Sequence, residues 1–228
     1  MSAAPLDVFT FDRPLPYRPA FAAMERRVQA RIEDRVGDAL FLLEHEPVIT
    51  LGVRGREEHV RASTEELQTR GIDRVAVNRG GEVTLHAPGQ WVLYPILKLT
   101  GAEASAAGHV RRLEEIALRT AGDFGVSAFR RRGLTGIWTA GGKLGAIGVR
   151  FRRWVSYHGL SLNVDLDLSL FDLIVPCGQP QEPVTSFRAL LGSAAPDRTA
   201  VRARLLARAE ELFHRPLRER PVVSAWPE

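Results

Sequence analysis

Cysteine and lysine are the residues this 228-residue chain nearly does without. A lone cysteine, Cys177, rules out an internal disulfide and is too few for a cysteine zinc site, which agrees with a reducing compartment where the thiol stays free. Lysine stands only at Lys98 and Lys143, so 29 of the 31 basic residues are arginine. Apolar runs of about 18 residues, the length of a membrane-spanning helix, do not occur. Internal repeats, low-complexity tracts and an obvious linker are missing as well. The first residues, Met1-Ser2-Ala3-Ala4-Pro5-Leu6-Asp7, lack the basic-then-apolar order of a secretory signal, so a cytoplasmic protein is expected.

What is there suffices for a full core: 45% of the residues are apolar, and one domain over residues 1–228 is expected. A net charge of +4 suits an acidic protein partner as well as nucleic acid and does not choose between them. Helical spacing of Phe21, Met24, Val28 and Ile32 predicts a helix over 17–36, and similar spacing predicts helices over 102–124 and 202–213. Ser63 followed by Glu66 reads as a capping box opening a short helix that Gly71 ends. Short apolar runs predict strands over 39–43, 48–51, 75–78, 82–87, 91–99, 134–139, 144–155 and 157–164. The first two read as strands around the turn Glu44-His45-Glu46-Pro47. Runs of strands between separated helices indicate an α+β (mixed α/β) fold. Only the stretch from Pro216 onward, 216–228, reads as a loosely attached tail.

Three segments carry chemistry. Arg79-Gly80-Gly81-Glu82-Val83-Thr84-Leu85-His86-Ala87-Pro88-Gly89-Gln90 contains paired glycines that let backbone approach a ligand; as a bland alternative it is a hairpin with a Gly-Gly turn. It is no phosphate loop, because the Gly-Lys-Ser/Thr ending and the dinucleotide spacing are both missing. Ala140-Gly141-Gly142-Lys143-Leu144-Gly145-Ala146-Ile147-Gly148 is a glycine-dense entry into a strand carrying one of the two lysines, or else a hairpin tip with a solvated lysine. Ser156-Tyr157-His158-Gly159-Leu160-Ser161-Leu162-Asn163 leads towards Pro176-Cys177-Gly178, turn chemistry around the thiol. His158 or His86 could activate that thiol, as histidine commonly does, although a lone histidine on a strand is more often structural. Lysine can release a proton at accessible pH where arginine cannot, so Cys177 and Lys143 together suggest an acyl-transfer pair.

Taken in order, these segments resemble the lipoyl(octanoyl) transferase family, also called lipoate-protein ligase B. The family's Arg-Gly-Gly-x-x-Thr-x-His-x-Pro-Gly-Gln-x-x-x-Tyr runs from Arg79 to Tyr94. Lys143 with Ala146-Ile147-Gly148, then His158 to Val164, Pro176-Cys177-Gly178 and Thr185-Ser186 follow in the family's order, so that the resemblance covers roughly 39–190. It implies a biotin/lipoate protein ligase-like catalytic domain, a mixed sheet flanked by helices. It implies transfer of an octanoyl group from octanoyl-acyl carrier protein to the target lysine of lipoyl domains, those of 2-oxoacid dehydrogenases and of the glycine cleavage H protein. Cys177 would carry the acyl group as a thioester and Lys143 would be its acid/base partner. The acyl site would be lined by Arg79, Gly80, Gly81, Glu82, Val83, Thr84, Leu85, His86, Ala146, Ile147, Gly148, Gly159, Leu160 and Ser161, with His86 and His158 as pocket or positioning residues. Backbone N–H groups beside Lys143 and Leu144 would meet oxyanion charge.

No cofactor and no metal are expected, since the phosphopantetheine arm arrives with the carrier protein; nucleic acid and membrane are not expected as partners, and the protein is expected to be a monomer. Leu85 stands where the family usually has an aromatic, and Ala87 where glycine is common, which puts the acyl chain length in question. Arg130-Arg131-Arg132 and Arg150, Arg152 and Arg153 could steer an acidic carrier protein or be solvated faces. An ATP-dependent lipoate or biotin ligase on the same fold, or a non-catalytic acyl-binding module, are the other readings.

Overall fold

The computed structural model describes residues 4–176 and 182–227. Its elements run β1 (Leu6–Thr10), α1 (Tyr17–Ile32), β2 (Ala39–Leu43), β3 (Val48–Leu51), α2 (Thr64–Thr69), β4 (Asp73–Ala76), β5 (Val83–His86), β6 (Gln90–Ile96), α3 (Ala106–Gly122), β7 (Ile137–Thr139), β8 (Gly142–Arg152), β9 (Val155–Asn163), α4 (Phe187–Leu191), α5 (Arg198–Phe213) and β10 (Leu217–Glu219). Seven strands form one sheet in the order β10-β1-β2-β6-β9-β8-β7, and three form a second, β4-β3-β5. Both sheets are mixed: β1 pairs parallel to β10 and β2, and β3 parallel to β4, while the other pairings are antiparallel. This is the mixed α/β architecture that the order of apolar runs implied.

The large sheet is covered on both faces, which is why β2 reads as an unbroken apolar run rather than an alternation. Leu40 and Leu42 point into one core with Leu113, Ile116 and Ala117 of α3 and Leu205, Leu206 and Ala209 of α5. Phe41 and Leu43 point into the other with Ala20, Met24 and Val28 of α1. A third apolar cluster joins Ile49, Leu51, Val83 and Leu85 of the small sheet to Phe171, Leu173 and Ile174.

Side-chain caps set the helix starts. Ser63 Oγ accepts from Glu66 N at 3.0 Å, as the capping pattern predicts. Ser105 Oγ accepts from Gly108 N at 3.0 Å, so α3 begins at Ala106 and not at Ala102. Asp197 Oδ1 accepts from Ala200 N at 2.7 Å, so α5 begins four residues before the predicted Arg202.

β2 and β3 are the two strands expected around Glu44-His45-Glu46-Pro47, with the expected bounds; they belong to different sheets, and the intervening residues bond to Leu15, whose N donates to Glu44 O at 2.9 Å and whose O accepts from Glu46 N at 3.1 Å. Two expectations are corrected. Gly80-Gly81 is no hairpin turn, because β4 and β5 flank β3 on opposite sides. The segment after Pro216 is tied down along its length. Leu217–Glu219 forms the edge strand beside β1, Arg220 N and Val223 N donate to Val8 O and Thr10 O, and the Trp226 ring stacks on Phe41 at 4.1 Å. Its polarity is that of an edge strand: Arg218 and Arg220 both pair with Asp7.

Candidate active site

Strand alternation leaves a patch without bulky side chains on the α1-facing side of the large sheet. Ala146 and Gly148 of β8 stand in register with Ser161 and Gly159 of β9, and Val92 of β6 stands opposite Ser161. No side chain larger than serine rises from these four positions on β8 and β9. The space above them is a cavity of about 380 Å³ with its open mouth included, walled by Tyr17 of α1, Arg79, Thr84 and His86 from the small sheet and its loop, Tyr94 of β6 and His158 of β9. Ile147 and Leu160 complete the wall.

Several polar atoms of this wall are held by residues packed behind it. His45 Nδ1 donates to Leu15 O at 3.0 Å, so its Nε2 accepts from Tyr94 Oη at 2.8 Å. His86 Nδ1 donates to Gln90 Oε1 at 2.6 Å, Gln90 Nε2 to Asn163 Oδ1 at 2.8 Å, and Asn163 Nδ2 to Thr185 O at 2.9 Å. His158 Nε2 donates to Asn78 Oδ1 at 2.9 Å. Burial disfavours the charged imidazole: it pushes His45 down to about 4, and it pushes His86 to about 3 with the charges of His45 and Arg79 adding to it. His158 lies well below its ordinary value for the same reasons, burial first and then Arg79. These rings are neutral and weakly basic at neutral pH, which suits walls better than proton acceptors.

Arg79 is 7% exposed and fixes its own loop. Its Nη2 donates to Thr50 O at 2.8 Å and to Thr50 Oγ1 at 2.7 Å. The loop presses onto β8: Gly80 N donates to Val149 O at 2.9 Å, and a Cβ at Gly148 would stand 2.7 Å from Gly80 O. A glycine is required there by the approach of two backbones. Strand period divides the motif that follows, with Thr84 and His86 on the cavity side and Val83 and Leu85 in the small-sheet core. Leu85 is therefore remote from the cavity wall, and Ala87 packs in the same core, so neither departure from the family pattern touches the slot.

A second cavity, about 630 Å³ with its open mouth, shares Ile147 with the first. Lys143 lies in it with Arg54, Gly81, Glu82, Trp138, Glu182 and Pro176. Lys143 is 7% exposed, so the alternative of a solvated lysine at a hairpin tip does not hold. Its N donates to Pro183 O at 2.8 Å and its O accepts from Thr185 N at 3.0 Å. That first bond removes the Lys143 N–H from the expected oxyanion donors. Cys177 lies outside the described residues; Pro176 before it and Glu182 after 177–181 both line this cavity.

The expected lining thus separates into groups. Arg79, Thr84, His86, Ala146, Ile147, Gly148, Gly159, Leu160 and Ser161 meet around the first cavity, and Gly81 and Glu82 around the second; Gly80 braces β8, and Val83 and Leu85 face away. Tyr17, Val92 and Tyr94 also wall the first cavity, and Trp138 and Glu182 the second. Of the arginine clusters, Arg130 pairs with Glu114 and Glu115 and Arg131 with Glu182, whereas Arg150, Arg152 and Arg153 are exposed at the end of the β8–β9 hairpin. Among the described residues no helix is long and apolar enough to cross a membrane.

Comparison with known proteins bears on this arrangement. Residues 16–210 match the model of the lipoyl protein ligase A/B catalytic domain. An octanoyltransferase of Chloroflexus aggregans is 48% identical over 183 residues, covering 79% of this chain and 83% of its own. One from Chloroflexus aurantiacus is 46% identical over 200 residues, covering 86% and 89%. In three dimensions the chain is similar to the bipartite lipoate protein ligase of Thermoplasma acidophilum, described with its E2 lipoyl domain, at a TM-score of 0.77 and 16% identity over 97% of this chain and 88% of that one. Lipoate-protein ligase A bound with ATP gives a TM-score of 0.70 at 14% identity, over 93% and 90%. At these identities the structures speak for the fold alone.

Proposed function

The chain belongs to the lipoyl protein ligase A/B catalytic-domain family and acts as an octanoyltransferase in protein lipoylation; from that premise we propose that Cys177 and Lys143 carry the transfer, from octanoyl-acyl carrier protein to the target lysine of lipoyl domains. The observation that carries this reading is the second cavity, which buried Lys143 lines together with the two described residues that flank 177–181. Cys177 follows Pro176 by one peptide bond, which supports a thiol beside this ammonium. The first cavity, sharing the Ile147 wall, supports an alkyl tail lying over Ala146, Gly148, Gly159 and Ser161.

In the forward step the Cys177 thiolate attacks the donor's thioester carbonyl, the bond from that carbon to the phosphopantetheine sulfur breaks, and the leaving sulfur takes a proton from Lys143. The acceptor lysine's amine then attacks the Cys177 thioester. Lys143 takes the proton lost by that amine, and the cysteine leaves as thiolate with an amide formed. A nearby ammonium favours the thiolate at the start of this cycle, and an arginine could not return the proton. The lipoyl domains of 2-oxoacid dehydrogenases and the glycine cleavage H protein are the proposed acceptors. Exposed Arg150, Arg152 and Arg153 offer an acidic carrier a cationic approach. The low proton affinity of His86 and His158 supports lysine over histidine as the base.

Incubation with octanoyl-acyl carrier protein, without ATP, should add one octanoyl group, mapped by mass spectrometry to Cys177 and lost on addition of a lipoyl domain. Absence of that adduct, or full transfer by Lys143→Arg, would overturn the reading. Transfer that needs ATP and survives Cys177→Ser would instead favour an adenylating ligase.

A further inference from the structure

Lys143 shares its cavity with a layered contact that the proton transfers above leave unused. Trp138, 2% exposed, stands opposite Lys143 in the β7–β8 pairing. Lys143 Nζ and Arg131 Cζ each lie over its ring, 5.0 Å and 5.5 Å from the ring centroid. Trp138 Nε1 donates to Glu182 Oε2 at 3.2 Å, and Arg131 Nη1 donates to both Glu182 oxygens at 2.6 Å. Gly136 packs tightly beside the pair: its φ is +136°, and a Cβ there would stand 2.7 Å from Gly145 O, 3.0 Å from Lys143 Cε and 3.4 Å from Trp138 Cη2.

We propose that Trp138 is a positioning residue for Lys143, its ring face holding the ammonium in place while the Nε1 bond to Glu182 fixes the plane of the ring. The inference rests on Lys143 being the acid/base of the transfer. A lysine has a flexible four-carbon stem, and proton exchange with sulfur and amine requires its nitrogen at one place in both steps. An indole face attracts an ammonium electrostatically, most strongly where water is excluded. The ring is in turn oriented by a hydrogen bond to a charged acceptor. Arg131 sits against the same ring, and its paired Glu182 offsets the charge that would otherwise repel Lys143.

The test is single-turnover octanoyl transfer across donor concentrations, with thermal melting of each variant. Trp138→Leu should lower the rate at saturating donor on the order of 10-fold with KM little changed. Trp138→Phe keeps an aromatic face and should recover most of that loss. Glu182→Gln, which weakens the Trp138 tether and removes the charge paired with Arg131, should fall by a few-fold (about 2- to 5-fold). A wild-type rate in Trp138→Leu, a loss confined to KM, or Trp138→Phe falling as far as Trp138→Leu would overturn the inference. Should Trp138→Leu not fold, Trp138→Phe decides it, because it removes Nε1 and keeps the ring face: a loss of about 2- to 5-fold at saturating donor with KM little changed is expected, and a wild-type rate or a loss confined to KM would overturn the inference. A wild-type protein that forms no Cys177 adduct would instead sink the reading on which this one stands.

Discussion

Ala146, Gly148, Gly159 and Ser161 do their work by what they omit: four small residues on two paired strands hold open the space under α1. Ala146→Leu would place an isobutyl group in that space without disturbing the backbone contact that Gly148 makes. The expected outcome is an on the order of 10-fold or greater fall in kcat/KM for octanoyl donors with a smaller loss for butanoyl donors, read by steady-state transfer assays. Leu85 behaves differently although it lies in the same motif. Enlarging it to phenylalanine would overfill the small-sheet core, costing about 1–3 kcal/mol in a denaturant titration with the preference between octanoyl and shorter donors unchanged. Period-2 alternation carries that division, since Leu85 shares its parity with Val83 and opposes Thr84 and His86, but the family resemblance groups all four in the lining. Tyr17 was not legible as a wall residue, because it reaches the cavity from a helix more than 60 residues before the motif it faces. Trp138 and Glu182 carried no signal of their own for the same reason: a π face and a carboxylate acquire a role only when the fold sets them beside Lys143.

At the scale of elements, the strands and helices whose cues are local stood out in the sequence, and those made by distant pairing did not. Ser63 and Glu66 announce α2 three residues apart, and the 3.6-residue spacing announces α1, α3 and α5, with starts displaced where Ser105 and Asp197 cap. β1 and β10 are short, and they exist because the two ends of the chain pair with each other, with Leu6 opposite Leu217. The polar, proline-bounded stretch from 216 onward gave no hint of that partner. Its attachment predicts that Trp226→Ala, which removes a ring stacked on Phe41 and packed near Phe11, destabilises by about 1–3 kcal/mol, measured as a lowered denaturant midpoint at unchanged slope. A purely dangling tail would show no change.

For the whole molecule, buried neutral histidines set the response to acid. His45, His86 and His158 are joined by His109 of α3, which is 1% exposed, lies against Phe151 and Phe213, and is held down to about 4 by burial and then by Arg112. A folded value below the unfolded one means that the unfolded chain binds more protons, so stability is complete above about pH 6.5 and is lost as pH falls towards 4. His45 and His109 should each cost about 2 kcal/mol between pH 7 and pH 5. Urea midpoints at the two pH values check this. Both nitrogens of His109 lack a hydrogen-bond partner, so His109→Leu should raise stability at pH 7 by about 1 kcal/mol and flatten the pH dependence. An unchanged slope in that variant would assign the acid sensitivity elsewhere.

The scarcity of lysine acquires a meaning once the chain is seen handling an activated acyl group. An enzyme that acylates the amines of other proteins is itself a protein, and each exposed lysine near the proposed Cys177 thioester would be a target for self-modification. Here Lys98 is engaged by Asp34 at 2.6 Å and Lys143 is enclosed, while the rim of its cavity carries Arg54. Guanidinium is too weak a nucleophile at neutral pH to take an acyl group, so the arginine surface keeps its charge and stays inert towards its own chemistry. Arg54→Lys should therefore accumulate an octanoyl amide at position 54 on standing with donor, detected by peptide mapping, where the wild-type chain carries no acyl group at that position.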